Sequence, residues 1–98
     1  MKAPALVKAL EEAVRQLGVR VRYERGTFRG GLCTIEGEQF VMLNRRLPAE
    51  SHVVALASAL AQLPHESLYL RPNVRAALED AWASRAADRS DAEEVGAD

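Results

Sequence analysis

The stretch "ALASALAQL", Ala55 to Leu63, decides how this chain of 98 residues is read. It carries only two polar side chains, Ser58 and Gln62, four residues apart. Residues at i and i+4 lie one above the other on a helix face. With Val53 and Val54 just upstream, apolar residues occupy nearly every side. That pattern predicts a helix over about 50–63 that lies at the centre of the core or at an interface. Ser51 is its expected N-cap.

Working back from this helix, Pro48 ends a sheet. "LCTIEGEQFVMLN", Leu32 to Asn44, reads as a hairpin of strands 32–36 and 38–44 with a tight turn at Glu36-Gly37. "GTFRGG", Gly26 to Gly31, is the loop that enters it. In "VRVRYER" the period is two, so Val19, Val21 and Tyr23 face one way and Arg20, Arg22 and Glu24 the other. Leu6, Leu10, Ala13, Val14 and Leu17 return at helical spacing, with Pro4 in the first turn and Gly18 at the C-terminal end.

Downstream, "SLYL", Ser67 to Leu70, is expected as a short extended segment. A last helix opens at Pro72 or Asn73 and runs through Val74, Ala77, Leu78, Ala81 and Trp82. The fold class is α+β: a small, mainly antiparallel three-stranded sheet covered on one face and packed with about three helices. Residues 1–85 form the single domain.

Charge is distributed unevenly. From Ala86 onward five acids stand against Arg89 alone, leaving residues 1–85 with 12 basic and 9 acidic groups. So small an excess argues against nucleic acid as a partner. The acidic end, 86–98, has few large apolar groups and is expected to be a disordered tail. A single cysteine, Cys33, excludes an intramolecular disulfide framework. Neither a signal-peptide pattern nor a membrane-length apolar run is read in the sequence, which makes a cytoplasmic location the expectation and a membrane partner not one.

The helix and its approach resemble the ImmA/IrrE-type metallopeptidases, zincins that cleave phage and stress-response repressors. "LASALAQL" is similar to that family's "LAHELAH" segment. "LGVRVRY", then "GLCTIEGEQFVMLNRRLPAES", follow its run of helix, strand, hairpin ending in Asn, and Leu-Pro turn. The resemblance covers roughly residues 5–63. It implies that Ser58 and Gln62 stand where two zinc-binding histidines would, and Ala59 where the general base would, with Leu60 and Ala61 as apolar spacer. A hydroxyl and a carboxamide are poor zinc ligands, and alanine takes no proton. No catalytic residue, metal site or cofactor is therefore expected.

Other constellations are weaker. Cys33 with His52 or His65 could form a thiol centre or bind metal, but shows no short-range ligand spacing. "FRGGL", Phe28 to Leu32, lacks the Lys-Ser/Thr of a phosphate-binding loop. The arginines at 20, 22, 25 and 29 could form a basic edge that grips phosphate or an acidic partner, or serve only for solubility and edge protection.

The reading is a non-catalytic protein-interaction or scaffolding module on a degenerate zincin-like fold. Its partner is another protein or a second copy in a homodimer. Arg20, Arg22, Arg25, Ser58 and Gln62 are the candidate binding residues, and an uncovered part of the 50–63 helix or Trp82 is a further candidate surface. The alternative is a small enzyme or ligand-binding protein using a site near Cys33.

Overall fold

The computed structural model describes the backbone of residues 1–96 and the side chains of residues 1–84. Three helices and a three-stranded sheet make a compact α+β fold: α1 (Ala3–Gln16), β1 (Arg20–Glu24), β2 (Gly30–Ile35), β3 (Glu38–Asn44), α2 (Ala49–Gln62) and α3 (Pro72–Gly96). The strand order is β1-β3-β2. β2 and β3 form the expected antiparallel hairpin, with Leu32 opposite Val41 and Cys33 opposite Phe40. Its turn residues, Glu36 and Gly37, have φ of 50° and 84°, the positive pair that lets a two-residue turn follow the strand twist.

The sheet is mixed rather than mainly antiparallel. β1 runs parallel to β3, with Val21 opposite Val41 and Tyr23 opposite Leu43. β3 takes the centre because "FVML", Phe40 to Leu43, is its one continuous apolar run, which a strand flanked on both sides can best use.

Alternation divides the sheet. Val21, Tyr23, Leu32, Val41 and Leu43 face the helices and join the core. Arg20, Arg22, Cys33, Phe40 and Met42 take the outer face. α2 is central, packing on α1, α3, β2 and β3. Leu56, Ala59 and Leu60 are fully buried with Leu10 and Leu43. Each buried leucine contributes about 1.5–3 kcal/mol.

Local details correct the sequence reading in two places. α2 starts at Ala49 with Pro48 at the N-cap. The Pro48 carbonyl accepts from the Ser51 and His52 amides, so Ser51 is inside the first turn. Proline suits that entry because its φ is already fixed. In "SLYL", Ser67 closes a single 3-10 turn, His65–Ser67, while Leu68 is extended, with φ of -75° and ψ of 136°, and the segment joins no sheet. The His65 ring nitrogen Nδ1 contacts the Leu60 and Leu63 carbonyls at 2.7 and 2.9 Å and closes the C-terminal end of α2.

Trp82, expected as a possible bare surface, is half-buried. Its indole N–H donates to the Ala57 carbonyl at 2.7 Å and its ring lies 4.9 Å from that of His65. α3 continues to Gly96, so the backbone is helical into the stretch set aside from sequence as a disordered tail. Residues 97–98 of that stretch, and all its side chains, lie outside the described ones.

Candidate functional site

Ser58, Ala59 and Gln62 occupy three different environments. Ser58 is half-buried and lines a groove of about 500 Å³ between α2 and the start of β2, with Arg29, Gly30, Leu47, Ser51, Val54 and Ala55. Ala59 is completely buried in the core. Gln62 is exposed, and its amide donates to the Ser58 backbone carbonyl at 3.3 Å. The i, i+4 pair noted in the sequence is thus joined through the backbone of one turn, on the surface of the helix. Among the described residues no three His, Cys, Asp or Glu side chains cluster as a metal site would need.

Cys33 and the two histidines are not brought together. Cys33 is half-buried on the outer face of the sheet. His52 lies under the opposite face, where its Nε2–H donates to the Asn44 carbonyl at 2.7 Å. His65 is committed to the end of α2.

Arg20 and Arg22 do share a face, and each is held near a glutamate. Arg22 Nη2 is 3.3 Å from Glu24 and Arg20 Nε is 4.0 Å from Glu38. The Arg22 guanidinium also sits 5.6 Å from the centroid of the Phe40 ring. That contact, together with the outer-face arginine stems, explains why Phe40 is only 8% exposed on a face that no helix covers. Arg25 falls after β1, in the exposed loop, and stands apart from this pair. Ser58 and Gln62 are across the sheet, on the helix side. The five candidate binding residues therefore do not make one site.

The sequence reading missed a sixth residue. Arg15, on the last turn of α1, joins Arg20 and Arg22 around a shallow hollow of about 650 Å³ at the β1 edge, with Gly18, Val19, Val21 and Phe40. Arg15 is shared with Glu11 at 3.4 Å. Helical periodicity places Arg15 off the apolar face of α1, which was the available signal.

A polar cluster at the α1–β1–α2 junction was also not foreseen. Glu11 is buried, accepts from the Tyr23 hydroxyl at 2.9 Å, and is 3.4 Å from Arg15. His52 stands edge-on to the Tyr23 ring, with centroids 5.4 Å apart. Arg45 lies 5.9 Å from the ring centroid. Burial, then the hydrogen bond and the charge of Glu11, push the Tyr23 hydroxyl up to about 12. A phenol held so firmly protonated is a hydrogen-bond donor and neither a base nor a nucleophile at neutral pH.

Comparison with protein-family models, with curated proteins and with solved structures finds no match.

Proposed function

We propose that the chain is a non-catalytic protein-interaction module on a degenerate zincin-like frame, and that the β1 edge docks a protein partner with an acidic surface. The observation that carries this reading is the convergence of Arg15, Arg20 and Arg22 around one hollow with Phe40 in its lining. Guanidinium groups bind carboxylates through paired N–H donors, which makes acidic side chains the fitting ligands. The glutamates that now share Arg20 and Arg22 lie at 3.3–4.0 Å in largely exposed pairs. Such pairs are worth little and exchange readily. A partner carboxylate that draws Arg22 aside also uncovers Phe40, which supplies an apolar anchor under the charged rim.

The frame itself, with Ser58, Ala59 and Gln62 in the places of zincin ligands and base, is proposed as a retained scaffold. Its groove beside Ser58 offers a hydroxyl and the Arg29 side chain, and no group suited to activating water.

The test is affinity purification of the tagged protein from its own cells after mild cross-linking, beside a variant carrying Arg20→Glu and Arg22→Glu. A near-stoichiometric partner that repeats across preparations and is lost from the variant supports the reading. Recovery of no partner, or of the same partner with both proteins, overturns the β1 docking edge.

A further inference from the structure

The two edges of the sheet are finished differently. β1 carries Arg20, Arg22 and Glu24 in its five residues. β2, "GGLCTI", has six residues with no charge and no proline. Charges, prolines and bulges are the usual means of keeping an edge strand from pairing with another chain. β2 has none of them, and its one-to-one register with β3 leaves no bulge. Among the described residues its backbone makes no hydrogen bond beyond those to β3.

Apolar side chains border this edge on both sides. Ile35, on the outer face, is 45% exposed. Val54, on α2, is 51% exposed and lines the groove shared with Gly30. These are two of the four large hydrophobic residues the described surface exposes, and both border β2.

We propose that β2 pairs antiparallel with β2 of a second copy, joining two three-stranded sheets into one of six strands. The charges at the ends of the strand select both the occupant and the direction. Arg29 precedes β2, while Glu36 follows it at the turn. Antiparallel copies bring arginine to glutamate at both ends, whereas parallel copies would set like charges together. The self-match needs no second sequence, as expected of a two-fold interface.

Symmetry restricts the register further. A two-fold axis between antiparallel strands runs perpendicular to the sheet, so opposed residues must lie on the same face. Around the middle of β2 this allows Leu32 to oppose itself or Cys33 to oppose itself. The Cys33 register sets Gly30 opposite the partner's Glu36, with Arg29 the next residue along the chain. The Leu32 register sets Arg29 opposite the partner's Ile35. Both registers place Arg29 within one position of the partner's Glu36, so either satisfies the charges at the two ends. This surface is the edge opposite the arginine hollow, and the inference does not rest on the acidic-partner reading.

The test is sedimentation velocity of the full chain from low micromolar to near-millimolar concentration. The expected result is a reversible shift to twice the 10.7 kDa chain mass. Thr34 and Ile35 are exposed, so Thr34→Lys with Ile35→Lys leaves the fold intact by circular dichroism and weakens the dimer at least ~10-fold. Arg20→Glu with Arg22→Glu leaves dimerisation unchanged. A chain that stays monomeric throughout overturns the proposal. A dimer indifferent to the two lysines does so too.

Discussion

The Tyr23 hydroxyl donates to Oε1 of Glu11 at 2.9 Å and ties the first strand to the first helix. Glu11 is buried on the core side of α1, and a carboxylate there needs partners to offset its lost hydration. Arg15 is the other, at 3.4 Å and from a more exposed position. Tyr23→Phe removes one oxygen and little volume, so its effect isolates the hydrogen bond. The expected loss is about 1–2 kcal/mol, read from urea denaturation at neutral pH with an unchanged m-value.

The same pair sets a pH dependence. Tyr23 titrates at about 12 in the folded chain against 10.0 for a free tyrosine. Between those values the native state holds a proton that the unfolded chain has given up, so stability falls as pH rises from about 10 to 12. Below pH 10 both states are protonated and this contribution is complete. The site is partly open to solvent, which limits the loss to about 1 kcal/mol. Denaturation midpoints across that range should fall more steeply for the wild type than for Tyr23→Phe.

Asn44 fixes the loop between β1 and β2. Its side-chain amide donates to the Gly26 and Phe28 carbonyls at 3.0 and 2.6 Å, and its Oδ1 accepts from the Arg46 amide at 3.0 Å. The residue is 3% exposed. Asn44→Ala leaves these groups without a partner, at a cost of about 2–3 kcal/mol. Hydrogen exchange should show the second effect, faster exchange at the amides of residues 25–31. Asn44→Asp keeps the Arg46 contact, loses both donors and places a charge against two carbonyls, so it should be no better than alanine.

Much of this fold was legible because it rests on local periodicity. Leu6, Leu10 and Val14 announced α1, the Glu36-Gly37 turn announced the hairpin, and Val74 and Leu78 announced α3. The parallel partner of β1 was harder to see, since the order of strands along the chain does not state which become neighbours. The usable cue was the unbroken Phe40–Leu43 run, which marks a strand enclosed from both sides. At the candidate site, Arg20 and Arg22 were legible from alternation. Arg15 was not, because only packing of α1 against β1 brings it beside them. The Glu11–Tyr23–His52 group is likewise a product of tertiary packing across 12 residues and more.

α2 shows a sharp contrast between neighbouring positions. Ala59 is completely buried, whereas Ser58 is half-buried and Gln62 exposed. The substitution Ala59→Glu forces a carboxylate into a packed core with no partner. A loss of more than about 3 kcal/mol, or failure to fold, is expected. Ser58→Ala and Gln62→Ala should change stability by no more than about 0.5 kcal/mol. A well-tolerated Ala59→Glu variant would mean that this face of α2 is open in solution.

Gly30 and Gly31 begin β2 side by side but are constrained for different reasons. At Gly30 a Cβ would stand 2.6 Å from the Met42 carbonyl oxygen, and φ is +105°. The oxygen belongs to the central strand and cannot retreat without opening the β2–β3 ladder. At Gly31 φ is +150° and nothing lies within 4 Å of the added carbon. Gly30→Ala should therefore cost roughly 2–4 kcal/mol, combining backbone strain with a steric clash, and Gly31→Ala about 1 kcal/mol from strain alone. Thermal melts of the two variants separate these outcomes. Because Gly30 also lines the groove beside Ser58, its variant should expose the β2 amides to exchange, while Gly31→Ala leaves them protected. Equal destabilisation by both substitutions would show that the close approach to Met42 is relieved in solution.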